Sequence, residues 1–152
     1  ALAGVGIDAA AASGLIGANC VLTPHDGEFT RLMGGLAPGP DRIAAARELA
    51  RRSGAIALLK GSATVIAAPS GEVLVSTTGD DRLATAGTGD VLAGIIGALA
   101  ACGLDPFHAA AAGAFIHGRA GALGWRSGSV AGDLPWRIPG VRDELMAGLL
   151  RS

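Results

Sequence analysis

Residues 87–90, Gly-Thr-Gly-Asp, combine a flexible backbone with a carboxylate just ahead of an apolar stretch. Gly87 and Gly89 allow the chain to approach a ligand closely, because neither carries a Cβ. If a helix begins here, the free N–H groups of its first turn attract an anion such as a phosphate. The carboxylate of Asp90 suits such a place if it accepts a proton from a hydroxyl that is about to meet the phosphate. The other interpretation is a simple helix cap, which this motif alone favours.

A second polar segment, residues 23–28, places a histidine and a carboxylate three residues apart, on one face of a predicted helix. His25 could contact a polar ligand, and Glu28 could hold a hydrated Mg²⁺ ion. The alternative is structural: Thr23 caps the helix, Pro24 takes its first position and Glu28 stabilises the helix dipole. The residue types alone leave both interpretations open.

A third segment, residues 60–64, begins with a lysine that follows a run of apolar residues. A lysine at the end of a buried strand usually reaches into solvent, which is the favoured interpretation of this segment by itself. Beside a nucleotide-binding loop, Lys60 becomes a candidate contact to phosphate or ribose. His108 and His117 are different, because nine residues of helix put them on opposite sides, where they cannot bind one metal ion together.

The composition indicates an α/β protein and excludes several classes of function. Half of the 152 residues are hydrophobic, 25 are glycine and the formal net charge is −1. The chain has no basic stripe for a nucleic acid and no cationic amphipathic helix for a membrane surface, so we expect neither partner. Its longest apolar run, residues 91–102, is too short to cross a bilayer. Cys20 and Cys102 form no metal or disulfide motif, which indicates a reduced, cytoplasmic protein.

The hydrophobic patterns predict alternating strands and helices, then a hairpin, then packed helices. The predicted strands are 5–8, 19–22, 55–60, 64–68 and 72–76, and the helices are 9–16, 29–33, 41–52, 90–102, 106–123 and 141–150. This order is typical of a doubly wound α/β sheet, in which ligands bind at the carboxyl ends of the strands. The three polar segments fall at such ends, so we expect them to meet.

Two smaller predictions concern packing. In the helix that Asp41 caps, Ile43 should join Ala46 and Leu49 on the buried face. Trp125 and Trp136 should cover the C-terminal part of the core rather than stack on a base.

Taken together, the three segments resemble the ADP-dependent NAD(P)H-hydrate dehydratases of the ribokinase-like superfamily. The likeness rests on Thr-Pro-His-Asp-Gly-Glu at 23–28, Leu-Lys-Gly-Ser-Ala-Thr-Val-Ile at 59–66 and Leu-Ala-Thr-Ala-Gly-Thr-Gly-Asp-Val-Leu-Ala-Gly at 83–94, and it continues to residue 121. It implies a ribokinase-like, doubly wound and mostly parallel sheet with flanking helices. A full core of this kind needs roughly twice this length. We therefore expect residues 1–152 to form a single domain that lacks its N-terminal portion.

The resemblance also implies an activity, the repair of NADH or NADPH whose nicotinamide ring has been hydrated. ADP would phosphorylate the ring hydroxyl, and phosphate would then be eliminated. Asp90 would be the catalytic base and contact the hydrated nicotinamide, His25 would contact the hydrated dinucleotide, and Glu28 would hold Mg²⁺ through water. The implied ADP contacts are Lys60, Gly61, Ser62, Ala63, Thr64, Gly87, Thr88 and Gly89. The full-length protein would be a homo-oligomer.

One loop departs from the family, because residues 79–82 read Gly-Asp-Asp-Arg where relatives often carry Asn and Gly. Two other functions remain open. One is a kinase of the same superfamily that phosphorylates a vitamin-like alcohol, and the other is a nucleotide-binding half-domain without activity of its own. Asp90 suits both enzymes, whereas His25, at a position where the kinases usually have Asn, favours the dehydratase.

Overall fold

The computed structural model of the chain describes residues 6–79, 83–124 and 128–149. The described strands are β1 (Val21–Leu22), β2 (Ile56–Leu59), β3 (Thr64–Ala67) and β4 (Val73–Ser76). The α-helices are α1 (Ile7–Ala12), α2 (Asp26–Leu32), α3 (Arg42–Ser53), α4 (Thr88–Ala101), α5 (Pro106–Ala122) and α6 (Leu134–Leu149), and a short 3₁₀ helix, Ala131–Asp133, precedes α6. No helix of this described part has both the length and the apolarity needed to span a membrane.

The four strands form one sheet in the order β1-β2-β3-β4. β1 runs parallel to β2, with Val21 opposite Ile56, and the two pairings from β2 to β4 are antiparallel. The α/β class is therefore confirmed, but the described sheet is mixed rather than mostly parallel. The reason lies in the connections: the turns between β2, β3 and β4 are short, and such turns can join only antiparallel neighbours.

Helices cover both faces of the sheet, and β2 is buried on both sides, as its unbroken apolar run predicts. Ala57 and Leu59 pack with α1, α2 and α3 on one face. Ile56 and Leu58, which alternate with them, pack with α4 and α5 on the other. A smaller cluster joins α5 to α6 through residues such as Leu134 and Val141. This three-layer arrangement fixes the ends of β1, β2 and α4 relative to one another.

The predicted strand at 5–8 is wrong in its described part, because α1 begins at Ile7. Ile7 and Ala10 are the buried residues of this helix, and their spacing is helical. Asp8 forms an ion pair with Arg52, which lies 44 residues away in sequence. A contact over that distance leaves no local pattern in the sequence, whereas a short apolar stretch does resemble a strand.

Three further predictions need correction. Asp41 does cap α3, since its carboxylate accepts from the N–H of Ala44 at 2.9 Å, but Ile43 is 42% exposed because it faces away from the sheet. Trp136 is 86% exposed rather than packed on the core, and Trp125 lies outside the described residues. The last helix begins at Leu134 rather than near 141, and it continues through Pro139, which lacks the N–H for one intrahelical hydrogen bond.

Candidate functional site

Three loops line one open cleft of about 840 Å³. They are the loop after β1, the loop after β2 and the turn at the start of α4. Apart from Ala63, every residue with a predicted ligand contact lines this cleft, namely His25, Glu28, Lys60, Gly61, Ser62, Thr64, Gly87, Thr88, Gly89 and Asp90. The prediction that the three segments meet is therefore confirmed, while the roles of their residues stay predictions.

His25 caps α2, a position that the structural interpretation of the sequence gave to Thr23. Its Nδ1 accepts hydrogen bonds from the N–H groups of Gly27, at 3.0 Å, and Glu28, at 3.2 Å. Oε2 of Glu28 in turn accepts from the N–H of His25 at 2.9 Å, which completes a capping box. Because Nδ1 is an acceptor here, the neutral imidazole carries its proton on Nε2. That N–H is the group that His25 can offer to a ligand.

Lys60 joins the first two loops and reaches toward the third. Its backbone N–H donates to the carbonyl of Pro24 at 2.9 Å, and its Nζ lies 3.6 Å from Oε2 of Glu28. A Cβ placed on Gly89 would lie 3.2 Å from the same Nζ, so the ammonium sits against the glycine turn. Partial burial raises the pKa of Glu28, but the N–H of His25 and the ammonium of Lys60 outweigh it and hold that pKa below its usual value.

The glycine turn begins α4 without a side-chain cap. Gly87 occupies the N-cap position with φ +88°, a backbone conformation that strongly favours glycine. A Cβ there would also lie 3.2 Å from the Cβ of Ala131, so the turn rests on the 3₁₀ helix. Thr88 is buried, and its hydroxyl donates to the carbonyls of Leu83, at 2.7 Å, and Thr85, at 2.8 Å. These bonds close the turn from within.

Asp90 lies in the first turn of α4 but does not cap it. Within the described residues its carboxylate has no hydrogen bond and no ion pair, and the N–H groups of Gly87 and Gly89 are also free of intramolecular partners. The N–H of Thr88, by contrast, donates to Thr85 at 3.3 Å. The turn therefore presents an unpaired carboxylate and two unpaired N–H groups, a combination suited to a hydroxyl and an anion.

Two residues that were not among the predicted site residues support the cleft. His117 is 7% exposed, and its Nε2 lies 2.9 Å from the carbonyl of Thr88. Because a carbonyl only accepts, Nε2 carries the proton. Burial lowers the pKa of His117 and so does the charge of Lys60, against the opposing effect of the bond to Thr88. Nothing in the local sequence reveals this contact, since it depends on how α4 packs on α5.

The second of these residues, Arg42, is the first residue of α3 and contacts both Asp26 and Lys60. A positive charge in the first turn of a helix opposes the helix dipole. That local conflict is a signal from which the sequence could have revealed a long-range partner.

Residues 8–138 match the sequence pattern of a protein family described as NAD(P)H-hydrate dehydratase. Among curated proteins, the chain is 45% identical over 118 residues to the ADP-dependent (S)-NAD(P)H-hydrate dehydratase of Neisseria meningitidis, covering 76% of this chain and 40% of that protein. It is 54% identical over 103 residues to the bifunctional NAD(P)H-hydrate repair enzyme Nnr of Mycobacterium leprae, covering 68% of this chain and 22% of that enzyme. The chain thus spans less than half the length of either relative.

Solved structures agree with the fold. An ADP/ATP-dependent NAD(P)H-hydrate dehydratase from Bacillus subtilis, co-crystallised with ATP and Mg²⁺ and soaked with CoA, superposes with a TM-score of 0.76 at 34% identity, covering 82% of this chain and 48% of that one. A ribokinase-like superfamily protein from Enterococcus faecalis superposes with a TM-score of 0.65 at 28% identity, covering 88% of this chain and 50% of that one. The expected ribokinase-like class is confirmed by these neighbours.

Proposed function

The chain belongs to the NAD(P)H-hydrate dehydratase family, and from that premise we propose that its cleft binds ADP and hydrated NADH or NADPH for removal of water from the nicotinamide ring. One observation carries the proposal: Asp90 and two nearby N–H groups, none of which has a partner among the described residues, lie in a cleft that also holds the ammonium of Lys60. A site that only bound phosphate would gain nothing from that carboxylate, because it repels the anion.

The proposed reaction turns a poor leaving group into a good one. The hydroxyl oxygen on C6 of the hydrated ring attacks the β-phosphorus of ADP, the bond from that phosphorus to the bridging oxygen breaks, and AMP leaves. Phosphate then departs from C6 with the electrons of the C–O bond, assisted by the lone pair of the ring nitrogen. Loss of a proton from C5 restores the double bond. The protein must supply a base, stabilise the phosphoryl charge and align the two substrates.

The residues that line the cleft include candidates for each of these tasks. Asp90 accepts the proton of the C6 hydroxyl as the oxygen attacks. The N–H groups of Gly87 and Gly89 stabilise the charge on the transferring phosphoryl group, together with the ammonium of Lys60. His25, in the loop after β1, donates its Nε2–H to the hydrated dinucleotide.

Glu28 suits a hydrated Mg²⁺ ion. Its contacts with the backbone of His25 and with Lys60 all use Oε2, so Oε1 can accept from a water of the ion's shell. The described residues include no group of three His, Cys, Asp or Glu that could hold a metal ion, so the proposed ion would also need waters and substrate phosphates as ligands. When bound, the ion would neutralise phosphate charge.

The test is to incubate the protein with ADP and hydrated NADH and follow the recovery of NADH absorbance. We expect recovery that depends on ADP. Phosphate transfer from ATP to an alcohol, without NADH recovery, would instead indicate the kinase. ADP binding with neither reaction would leave only a nucleotide-binding function.

A further inference from the structure

The guanidinium of Arg42 ties together two of the loops that line the cleft, although Arg42 itself does not line it. Nη1 donates to Oδ2 of Asp26 at 3.1 Å, and Nη2 donates to Oδ1 of the same carboxylate at 2.9 Å. Nη2 also donates to the backbone carbonyl of Lys60 at 2.6 Å. One side chain at the start of α3 therefore holds the first turn of α2 and the end of β2 together.

The chain after Lys60 is shaped to admit this guanidinium. A Cβ on Gly61 would lie 2.7 Å from Nη2 of Arg42 and 3.0 Å from its Cζ, so a larger residue there would have to displace the guanidinium from its present position. Nε of Arg42 is buried without a partner among the described residues, which costs free energy. The first turn of α3 also disfavours a positive charge. Its contacts with Asp26 and Lys60, rather than helix formation, account for an arginine at this position.

We propose that Arg42 is a positioning residue for nucleotide binding, and that Asp26 is its partner. The bidentate contact with Asp26 fixes the plane of the guanidinium, so that Nη2 points at the carbonyl of Lys60. With its backbone held from this side and by Pro24, Lys60 keeps its Nζ between Glu28 and Gly89. The inference rests on the proposed function in one respect, that Lys60 contacts ADP.

The test compares ADP affinity, by titration calorimetry, among variants that remove one or both partners. Arg42→Gln should weaken ADP binding about tenfold, the size of one lost charge-assisted hydrogen bond, with a smaller change in turnover of the bound complex. Asp26→Asn should weaken it about threefold, since one carboxylate charge orients the guanidinium. The double variant should be no weaker than Arg42→Gln, because the two residues act as one unit.

Arg47 provides a matched control within the same helix. Its Nε donates to the carbonyl of Gly71 at 3.1 Å, at the hairpin turn and away from the cleft. Arg47→Gln therefore removes an arginine-to-carbonyl hydrogen bond and a positive charge, but should leave ADP affinity unchanged. Arg42→Lys, which keeps the charge but not the bidentate geometry, should recover part of the affinity lost in Arg42→Gln.

A second readout does not depend on ADP. The backbone N–H of Lys60 donates to the carbonyl of Pro24, and its hydrogen exchange should become faster in Arg42→Gln but not in Arg47→Gln, because the carbonyl of Lys60 is no longer held. If both ADP affinity and this exchange rate are unchanged in Arg42→Gln, or if the effects of Arg42→Gln and Asp26→Asn on ADP affinity simply add, the inference is overturned. If the exchange becomes faster but the unaltered protein binds no ADP, the proposed function fails while the positioning role of Arg42 stands.

Discussion

The two walls of the cleft are built from opposite kinds of interaction. On the charged wall, residues 23–28 and 60–64, the charges already have partners, as in the approach of Lys60 to Glu28 and of Arg42 to Asp26. On the glycine wall, residues 83–90, the fixing bonds are neutral and run from the hydroxyl of Thr88 and the imidazole of His117. The only acid of that wall, Asp90, is unpaired within the described residues.

This difference indicates that residues suited to binding a ligand and residues suited to proton transfer lie on different walls. A carboxylate that already pairs with a lysine gains little from accepting another proton, because its pKa is lowered. An unpaired carboxylate on a rigid turn keeps its acceptor oxygens free for a hydroxyl. We therefore propose that the charged wall mainly positions the substrates, and that the glycine wall accepts the proton and contacts the transferring phosphoryl group.

Asp90→Asn should have the largest effect on the contrast between the two walls, because it removes the proposed base while the side chain keeps its shape. We expect turnover to fall about 10²- to 10⁴-fold, the usual contribution of a general base, with ADP affinity largely intact. Rates of NADH recovery and ADP titrations of both proteins test this. Asp41→Asn serves as the control, since it removes an equal charge at the start of α3, where Asn caps as well as Asp. Lost ADP affinity with normal turnover of bound substrate would contradict the role of Asp90.

Gly118→Ala tests how tightly α5 packs beside the glycine wall. The new Cβ would lie 2.2 Å from Oγ1 of Thr78 and 2.7 Å from its carbonyl carbon, so the backbone must move. We expect the free energy of unfolding, measured in urea, to drop by about 1–3 kcal/mol, as for other overpacked sites. Gly94→Ala in α4 has open space around it and should instead stabilise the protein by up to about 1 kcal/mol. Equal effects at both sites would disprove the close packing.

Lys60→Ala addresses the charged wall directly. Removal of the ammonium should weaken ADP binding about tenfold, in line with the loss of one charge-assisted contact. The turnover rate of the bound complex should decrease by a smaller factor. Titration calorimetry and single-turnover rates separate the two effects. An ADP affinity equal to that of the unaltered protein would show that this lysine only supports the loop.

The smallest expected effect is a dependence of stability on pH from His117. Its pKa in the folded protein is lowered from 6.5, so below pH 6.5 the unfolded chain binds more protons than the folded one. The contribution of His117 to the free energy of unfolding should therefore be complete above pH 6.5 and should decrease as the pH falls below it. His117→Gln keeps a donor for the carbonyl of Thr88, but its free energy of unfolding should depend less on pH below 6.5. His108→Gln, at an exposed position, should keep this dependence on pH.

The sequence predicted the cleft better than it predicted the residues that support it. Loops at the carboxyl ends of strands converge by a general rule of α/β sheets, so residues 23–28 and 60–64 could be placed together without coordinates. The cap of α2 could not, because a histidine accepting through Nδ1 is not among the usual cap residues. Arg42 and His117 act through partners 16 and 29 residues away. The unfavourable charge of Arg42 in the first turn of α3 indicates that it has a partner but not which residue that is, and no local pattern indicates the contact of His117.

The close approach of Gly87 to Ala131 gives the C-terminal segment a part in the shape of the cleft. Among the described residues, those that line the cleft lie between His25 and Gly118, so a shortened protein ending near residue 124 would retain all of them. It would nevertheless lose the surface behind the turn at Gly87, whose left-handed backbone would then be free to relax. Such a protein would keep all its ligand-contacting side chains and still bind poorly, because their alignment is set from outside the cleft.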